Sequence, residues 1–284
     1  AVLRTAVVNW WATWPAPPTG GIVVSDRALL RLEHGGALDG EIAPSSLYPA
    51  LEAQWPSIRA RAANAAARAF TGGDADTIAI LRRSGELDAS IAGIAQALPS
   101  RPLDFFVVYL PGLDIAQNAL LGPSAGTLTP SAMAARIAAL GSYYPFLDSL
   151  LASLAEPVAG QTVLLVTQPG RVQAKTGGLF AVAPTMRARV DADGAMEYSP
   201  EQVGGPGTIF TVVDVAPTVW WALGLPLSRE LSGKPAADLF GDVLPAPARY
   251  VPTYGRPYVT PAARSGKPLD QEMIDRLRSL GYIK

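Results

Sequence analysis

A single histidine, His34, and the absence of cysteine in 284 residues restrict the chemistry open to this chain. Zinc and similar ions take imidazole nitrogen or thiolate sulfur, in sites of three or four protein ligands. One imidazole and no thiolate leave only an all-oxygen site, which suits Mg²⁺ or Ca²⁺. Disulfide and thiol redox chemistry are excluded, without identifying the compartment. His34 follows Arg31 and Glu33 and precedes Gly35 and Gly36. It reads as a solvated helix end, where an imidazolium interacts well with the helix dipole; a lone general acid or base is the alternative. Trp10, Trp11, Trp14 and the pair Trp220 and Trp221 could stack on sugars or bases. Beside strands and on an apolar helix, indoles more commonly fill the space between sheet and helices, and a surface subset could anchor a partner. The glycines at 177–178 and 204–207 (GGPG) are loop glycines, since no Gly-Lys-Ser/Thr follows to make a phosphate loop.

The composition bounds the partners. With 49% hydrophobic residues the chain can bury a large core. With 23 basic and 24 acidic side chains it has no overall field to attract nucleic acid or an anionic membrane. The longest apolar stretch, 208–227, contains Asp214, Pro217 and Pro226, and a spanning helix there would bury a carboxylate in lipid. No transmembrane segment is expected within the chain. It starts at Ala1 rather than Met, so any signal peptide or anchor is expected upstream.

These residues need elements to position them. Residues 5–9 (TAVVN) and 22–25 are short β-rich runs separated by a Pro/Gly loop. Asp26 is a candidate cap for a helix that stops at Gly35–Gly36. Residues 46–98 predict a helical block, with Pro56 at a helix start, Asp74 as a cap, and Leu87, Ile91, Ile94 and Leu98 on a core face. Residues 104–110 (DFFVVYL) are too uniformly apolar for a half-exposed sheet and suit a central parallel strand covered on both faces. Thr129–Pro130 opens a long helical run to about Leu154, bent at Pro145. Residues 162–167 (TVLLVT) and 179–183 (LFAVA) predict further strands, so the order strand, helix, strand points to a crossover unit and a mainly parallel sheet. Asp214 is placed to cap a helix ending at Gly224. Residues 243–268 are rich in Pro, Tyr and Arg and predict an extended arm, lying on its own domain or binding a partner. A short helix, capped by Asp270 and stopped by Gly281, closes the chain.

Four stretches in this order carry a resemblance: 9–15 with 21–27 (NWWATWP, GIVVSDR); 105–114 (FFVVYLPGLD); 143–150 (YYPFLDSL) with 162–170 (TVLLVTQPG); and 213–226 (VDVAPTVWWALGLP) with 277–282 (LRSLGY). Together the chain resembles the alkaline phosphatase superfamily, in particular its bacterial type I phosphodiesterase/nucleotide pyrophosphatase-like proteins, over most of its length except 45–100. The resemblance implies a hydrolase in which a Thr or Ser nucleophile attacks phosphate esters between two metal ions. In that family the strand matching DFFVVYL leads into Asp-x-x-x-His; here Asp114 stands, and Asn118 takes the histidine's place. The strand matching TVLLVT leads into Asp-His-Gly, where this chain has Gln168, Pro169 and Gly170. A further family histidine would fall near Ala174, and the family's nucleophile and first metal carboxylate lie upstream of this chain.

The fold class expected is α/β, a mainly parallel sheet with helices on both faces, alkaline-phosphatase-like, with a helical elaboration at about 46–98. The expected domain spans 1–242, and 243–284 would form the arm and terminal helix. Asp114, Asn118, Gln168, Pro169 and Ala174 are degenerate metal positions, so neither a catalytic residue nor a cofactor is expected. The function expected is that of a catalytically inactive phosphodiesterase-like protein serving as an accessory subunit of a protein assembly, outside the cytoplasm and membrane-associated through its partners. Its protein-binding residues would be Arg249, Tyr250, Tyr254, Arg256 and Tyr258. The alternatives are a metal-dependent phosphoester hydrolase whose nucleophile lies upstream, and a module binding carbohydrate or another small ligand.

Overall fold

The computed structural model describes residues 3–10, 13–17, 20–35, 40–99, 102–122, 126–155, 162–167, 178–182, 212–240 and 247–255. They belong to two compact units. The first comprises the described residues up to Leu154, and the second those from 155 to 255. The units part after Leu154.

The first unit is organised on β1 (Thr5–Val8), which pairs in parallel with β2 (Ile22–Val24) on one side. An antiparallel strand, β3 (Ile42–Ala43), borders β2, and β4 (Phe105–Val108) lies parallel on the other side of β1. The order is therefore β3-β2-β1-β4. The register pairs Ala6 with Ile22 and Phe106, and Val8 with Val24 and Val108. Alternation along each strand then places these six side chains on one face. They pack against α1 (Ala28–His34), α2 (Tyr48–Ala69) and α3 (Ala75–Ala97), through Leu29, Leu32, Leu51, Trp55, Ile58, Ile91 and Ile94.

The helices follow from spacing and caps. In α2 the buried residues Tyr48, Leu51, Trp55, Ile58, Ala62 and Ala66 recur every three or four positions, which is one face of a helix. Pro56, expected at a helix start, instead lies inside α2; burial of Trp55 and Ile58 on either side carries the helix across the lost hydrogen bond. Residues 75–97 form one continuous helix. Asp74 caps it by accepting the Thr77 N–H at 2.7 Å, and its core stripe runs Leu81, Ser84, Asp88, Ile91, Ala95. Asp26 does not cap α1: Arg27 occupies the cap position without a side-chain bond, and the Asp26 carboxyl is turned to Thr13.

A second core joins the far ends of α2 and α3 to α4 (Gly112–Leu121), α5 (Pro130–Gly141) and α6 (Tyr143–Ala155). Phe70, fully buried, meets Tyr143 and Phe146 with ring centroids 5.1 and 5.0 Å away. The run expected as one helix bent at Pro145 is two helices parting at Ser142, whose Oγ donates to Ala139 O at 2.6 Å. Pro145 lies in the first turn of α6, where a missing N–H costs little.

In the second unit β5 (Val163–Thr167) pairs antiparallel with β6 (Gly178–Val182). A helix, α7 (Val215–Ala222), leads to β7 (Leu227–Ser228), which pairs in parallel with β8 (Tyr250–Val251). Trp221 packs edge-on against Phe240 at 5.3 Å, beside Leu227 and Ala236. Asp214 stands at the cap position of α7, but its carboxyl accepts the Lys234 N–H instead.

This is a mixed α/β protein, and three expectations about its sheet need correction. Residues 104–110 and 162–167 were expected in one crossover unit, with 104–110 central; β4 and β5 lie in different sheets of different units. Among the described residues β4 ends its sheet, with half-buried side chains, and the described helical cores take in one sheet face. The partner of β5 runs antiparallel. A continuous apolar run specifies burial, and it leaves open which strand lies alongside and in which direction. The terminal helix expected from Asp270 lies outside the described residues.

The Phe70 cluster yields a stability prediction. Phe70→Ala removes a fully buried ring that no neighbour can replace, so unfolding in urea should show a loss of about 3–5 kcal/mol. A loss below about 1 kcal/mol would show that the two helical ends are not joined through this ring.

Candidate functional site

Because β1, β2 and β4 are parallel, their C-terminal ends emerge at one edge, the place where open α/β sheets bind ligands. Beyond these ends lie Asn9, Trp10, Thr13 and Trp14 after β1, Ser25, Asp26 and Arg27 after β2, and Tyr109 and α4 after β4. Asn9 ties the three together. Its N–H donates to Val24 O at 2.8 Å and its Nδ2 to Tyr109 O at 3.0 Å. It does so with φ 58°, the one described non-glycine residue at positive φ, a conformation that asparagine tolerates better than most.

Aromatic and charged groups surround this knot. Trp10 is 46% exposed and meets Tyr109 edge-on at 6.1 Å. Thr13 Oγ1 donates to Trp10 O at 2.6 Å. The Arg27 guanidinium lies 3.9 Å above the Trp14 ring, a cation–π contact. Burial pushes the Asp26 carboxyl above its ordinary range, opposed by the Arg27 charge and by hydrogen bonding with Thr13. Its Oδ1 is buried and has no hydrogen-bond partner among the described residues.

Asp114 and Asn118 lie one turn apart on α4, so their side chains share a face. Both are half-buried, and neither is without a partner. One carboxylate and one neutral amide do not fit a pair of dications, whose desolvation needs several charged ligands. Among the described residues no three His, Cys, Asp or Glu side chains are grouped to hold a metal ion. His34 ends α1 and is exposed. Gln168, Pro169, Ala174 and Trp11 lie outside the described residues.

The arm residues are engaged within their own unit. Arg249 Nη2 donates to Gly224 O at 2.7 Å. The Tyr254 hydroxyl donates to Pro226 O at 2.9 Å, while its ring meets Trp220 edge-on. Tyr250 is 52% exposed, with the Arg229 guanidinium 5.5 Å from its ring centre. Arg256 and Tyr258 lie outside the described residues.

Sequence reasoning missed Asn9 and Asp26 as parts of one edge. The signal for both is a polar residue at the end of a short apolar run, where a parallel strand delivers it to the ligand-binding side. Among the described residues no helix is long and apolar enough to cross a membrane. No protein-family model, curated protein or solved structure matches the chain significantly.

Asn9 provides the prediction for this edge. Asn9→Ala loses the Tyr109 bond and places a Cβ residue in the left-handed region, whereas Asn9→Gly loses only the bond. The alanine variant should therefore be the less stable by about 1–2 kcal/mol in urea unfolding. Equal stabilities would show that the positive φ is relaxed in solution.

Proposed function

We propose that this chain is an alkaline-phosphatase-type, phosphodiesterase-like protein that has lost its metal-binding set and serves as an accessory subunit of a protein assembly. One observation supports the reading above others. Asp114 opens α4 directly after a parallel strand, at the sheet edge where a phosphoesterase of this kind gathers its ligands, and Asn118 stands one turn on. The remaining groups described at that edge are Asn9, Thr13, Ser25, Tyr109, two indoles and the adjacent Asp26 and Arg27. They can position a chain or a polar partner, and they do not make a two-metal site. A fold that retains a large core without its chemistry is kept for its surface. Tyr250 and Tyr254 supply half-exposed tyrosine there, a residue type enriched at interfaces.

A second reading, a module for carbohydrate or another small ligand, is favoured by Trp10. Its exposed indole lies against Tyr109 at the ligand-binding edge of the sheet.

The two readings separate experimentally. Protein purified without chelators should carry no stoichiometric transition metal by elemental analysis. Turnover of aryl phosphate mono- and diesters should equal the buffer blank from neutral to alkaline pH. Activity that disappears in Asp114→Ala would overturn the inactive-enzyme reading. In native extracts the tagged chain should migrate well above its 29.7 kDa mass, and Tyr250→Ala should return it to the monomer position. Monomeric migration of the unmodified chain, with saturable quenching of tryptophan fluorescence by oligosaccharides that Trp10→Ala abolishes, would favour the small-ligand module.

A further inference from the structure

Asp88 is a carboxylate in the wrong place for an ordinary helix. It sits on the core stripe of α3 between Leu81 and Ile91 and has no solvent exposure. Its Oδ1 accepts the Gly112 N–H at 2.8 Å, from the first residue of α4. Its Oδ2 accepts the Tyr143 hydroxyl at 3.0 Å, from the first residue of α6. One side chain thus joins the starts of two helices to the middle of a third. Gly112 is required for this approach, because a Cβ there would run into Tyr143 Oη, Ser84 O and Asp88 Oδ2.

We propose that Asp88, the Gly112 amide and the Tyr143 hydroxyl form a pH-responsive clamp, which holds the start of α4 against α3 and α6 when Asp88 is protonated and loosens when it ionises. The groups facing Asp88 are the uncharged Gly112 amide from α4 and the Tyr143 hydroxyl from α6. Phe70 and Phe146 pack against the Tyr143 ring. No charged side chain is among the groups that set its titration. An anion here keeps two donors and the positive end of α4, and it still loses its hydration without gaining a counter-charge.

Burial accordingly pushes the Asp88 carboxyl up to about 7, against the two hydrogen bonds that lower it. Tyr143 is pushed upward too, by burial and by Asp88, so its hydroxyl remains a donor throughout the physiological range. Linkage sets the sign. In the unfolded chain the carboxyl titrates near 3.8 and in the folded chain near 7. Its contribution to stability is fully present below about pH 4 and is lost as pH rises through about 7. Because α4 continues from β4 and carries Asp114, ionisation acts on the element that completes the candidate edge. The clamp does not depend on whether that edge binds anything.

The test uses the whole chain labelled with ¹³C at aspartate carboxyls. The Asp88 resonance, assigned through bonded correlations and by its loss in Asp88→Asn, should titrate with a midpoint between about pH 6 and 8. Tyr143→Phe, which removes one donor to the anion, should move that midpoint higher. From pH 5 to 8 the wild-type folding constant should fall at least roughly tenfold relative to Asp88→Asn, and the Gly112 amide should lose hydrogen-exchange protection. A midpoint below pH 5 would overturn the proposal, as would equal pH slopes in wild type and Asp88→Asn. If that variant does not fold, the wild-type titration and the Tyr143→Phe shift decide the matter.

Discussion

Thr5–Val8 is hydrogen-bonded to a parallel neighbour on each side, and the first unit is built outward from that pairing. Both ends of the strand are fixed by polar side chains. At its start Arg4 grips Asp104 through its main-chain N–H at 2.8 Å and its guanidinium at 3.0 and 2.9 Å, and this holds the Asp104 carboxyl at about 2, far below its ordinary range. At its end Asn9 bonds to the main chain of β2 and of the segment after β4. Parallel strands cannot be closed by a tight hairpin, so these end contacts fix a register that no short turn supplies. The same register puts Ala6, Val8, Ile22, Val24, Phe106 and Val108 on the helical side and delivers Asn9, Asp26 and Tyr109 to one edge.

Among the described residues two carboxyl side chains are fully buried, and they are accommodated in different ways. Glu41 accepts the Arg31 guanidinium at 3.0 Å, so its charge is matched by an opposite charge at the junction of α1 and β3. Asp88 has neutral donors only. A lone buried carboxyl loses its hydration on ionising without gaining a counter-charge, and that cost acts as a bias on packing. The difference matters for function because α1 and α4 follow β2 and β4 directly. One is anchored by an ion pair, and the other by a buried carboxyl with neutral donors.

The second unit shows how a Pro/Tyr/Arg-rich segment can be both structural and available. Residues 247–255 add a strand to β7 and set the Tyr254 ring edge-on to Trp220, which uses the main chain and one ring. Tyr250, on the strand itself, keeps half its surface exposed. Any interface there would be carried by an already ordered segment, with less entropy left to lose on docking.

Periodicity and local chemistry alone determined much of what is seen. The strands at 5–8, 22–24, 105–108 and 163–167, the helical block from 48 to 97, the Asp74 and Thr129 helix starts and the burial of Trp221 all depend on spacing or on a cap within a few residues. The poverty of nitrogen and sulfur ligands is likewise a property of composition. The tertiary structure decided the rest. It put β4 and β5 in separate sheets, carried α2 through Pro56, split the 130–155 run at Ser142 and turned Asp26 from a helix cap into part of an edge. It also placed Asp88 against Gly112 and Tyr143, partners 24 and 55 residues away. A local pattern records whether a side chain is buried, and its energy is set by neighbours close in sequence. Strand partner, strand direction and the proton affinity of a buried acid are set by groups that only the folded chain brings together.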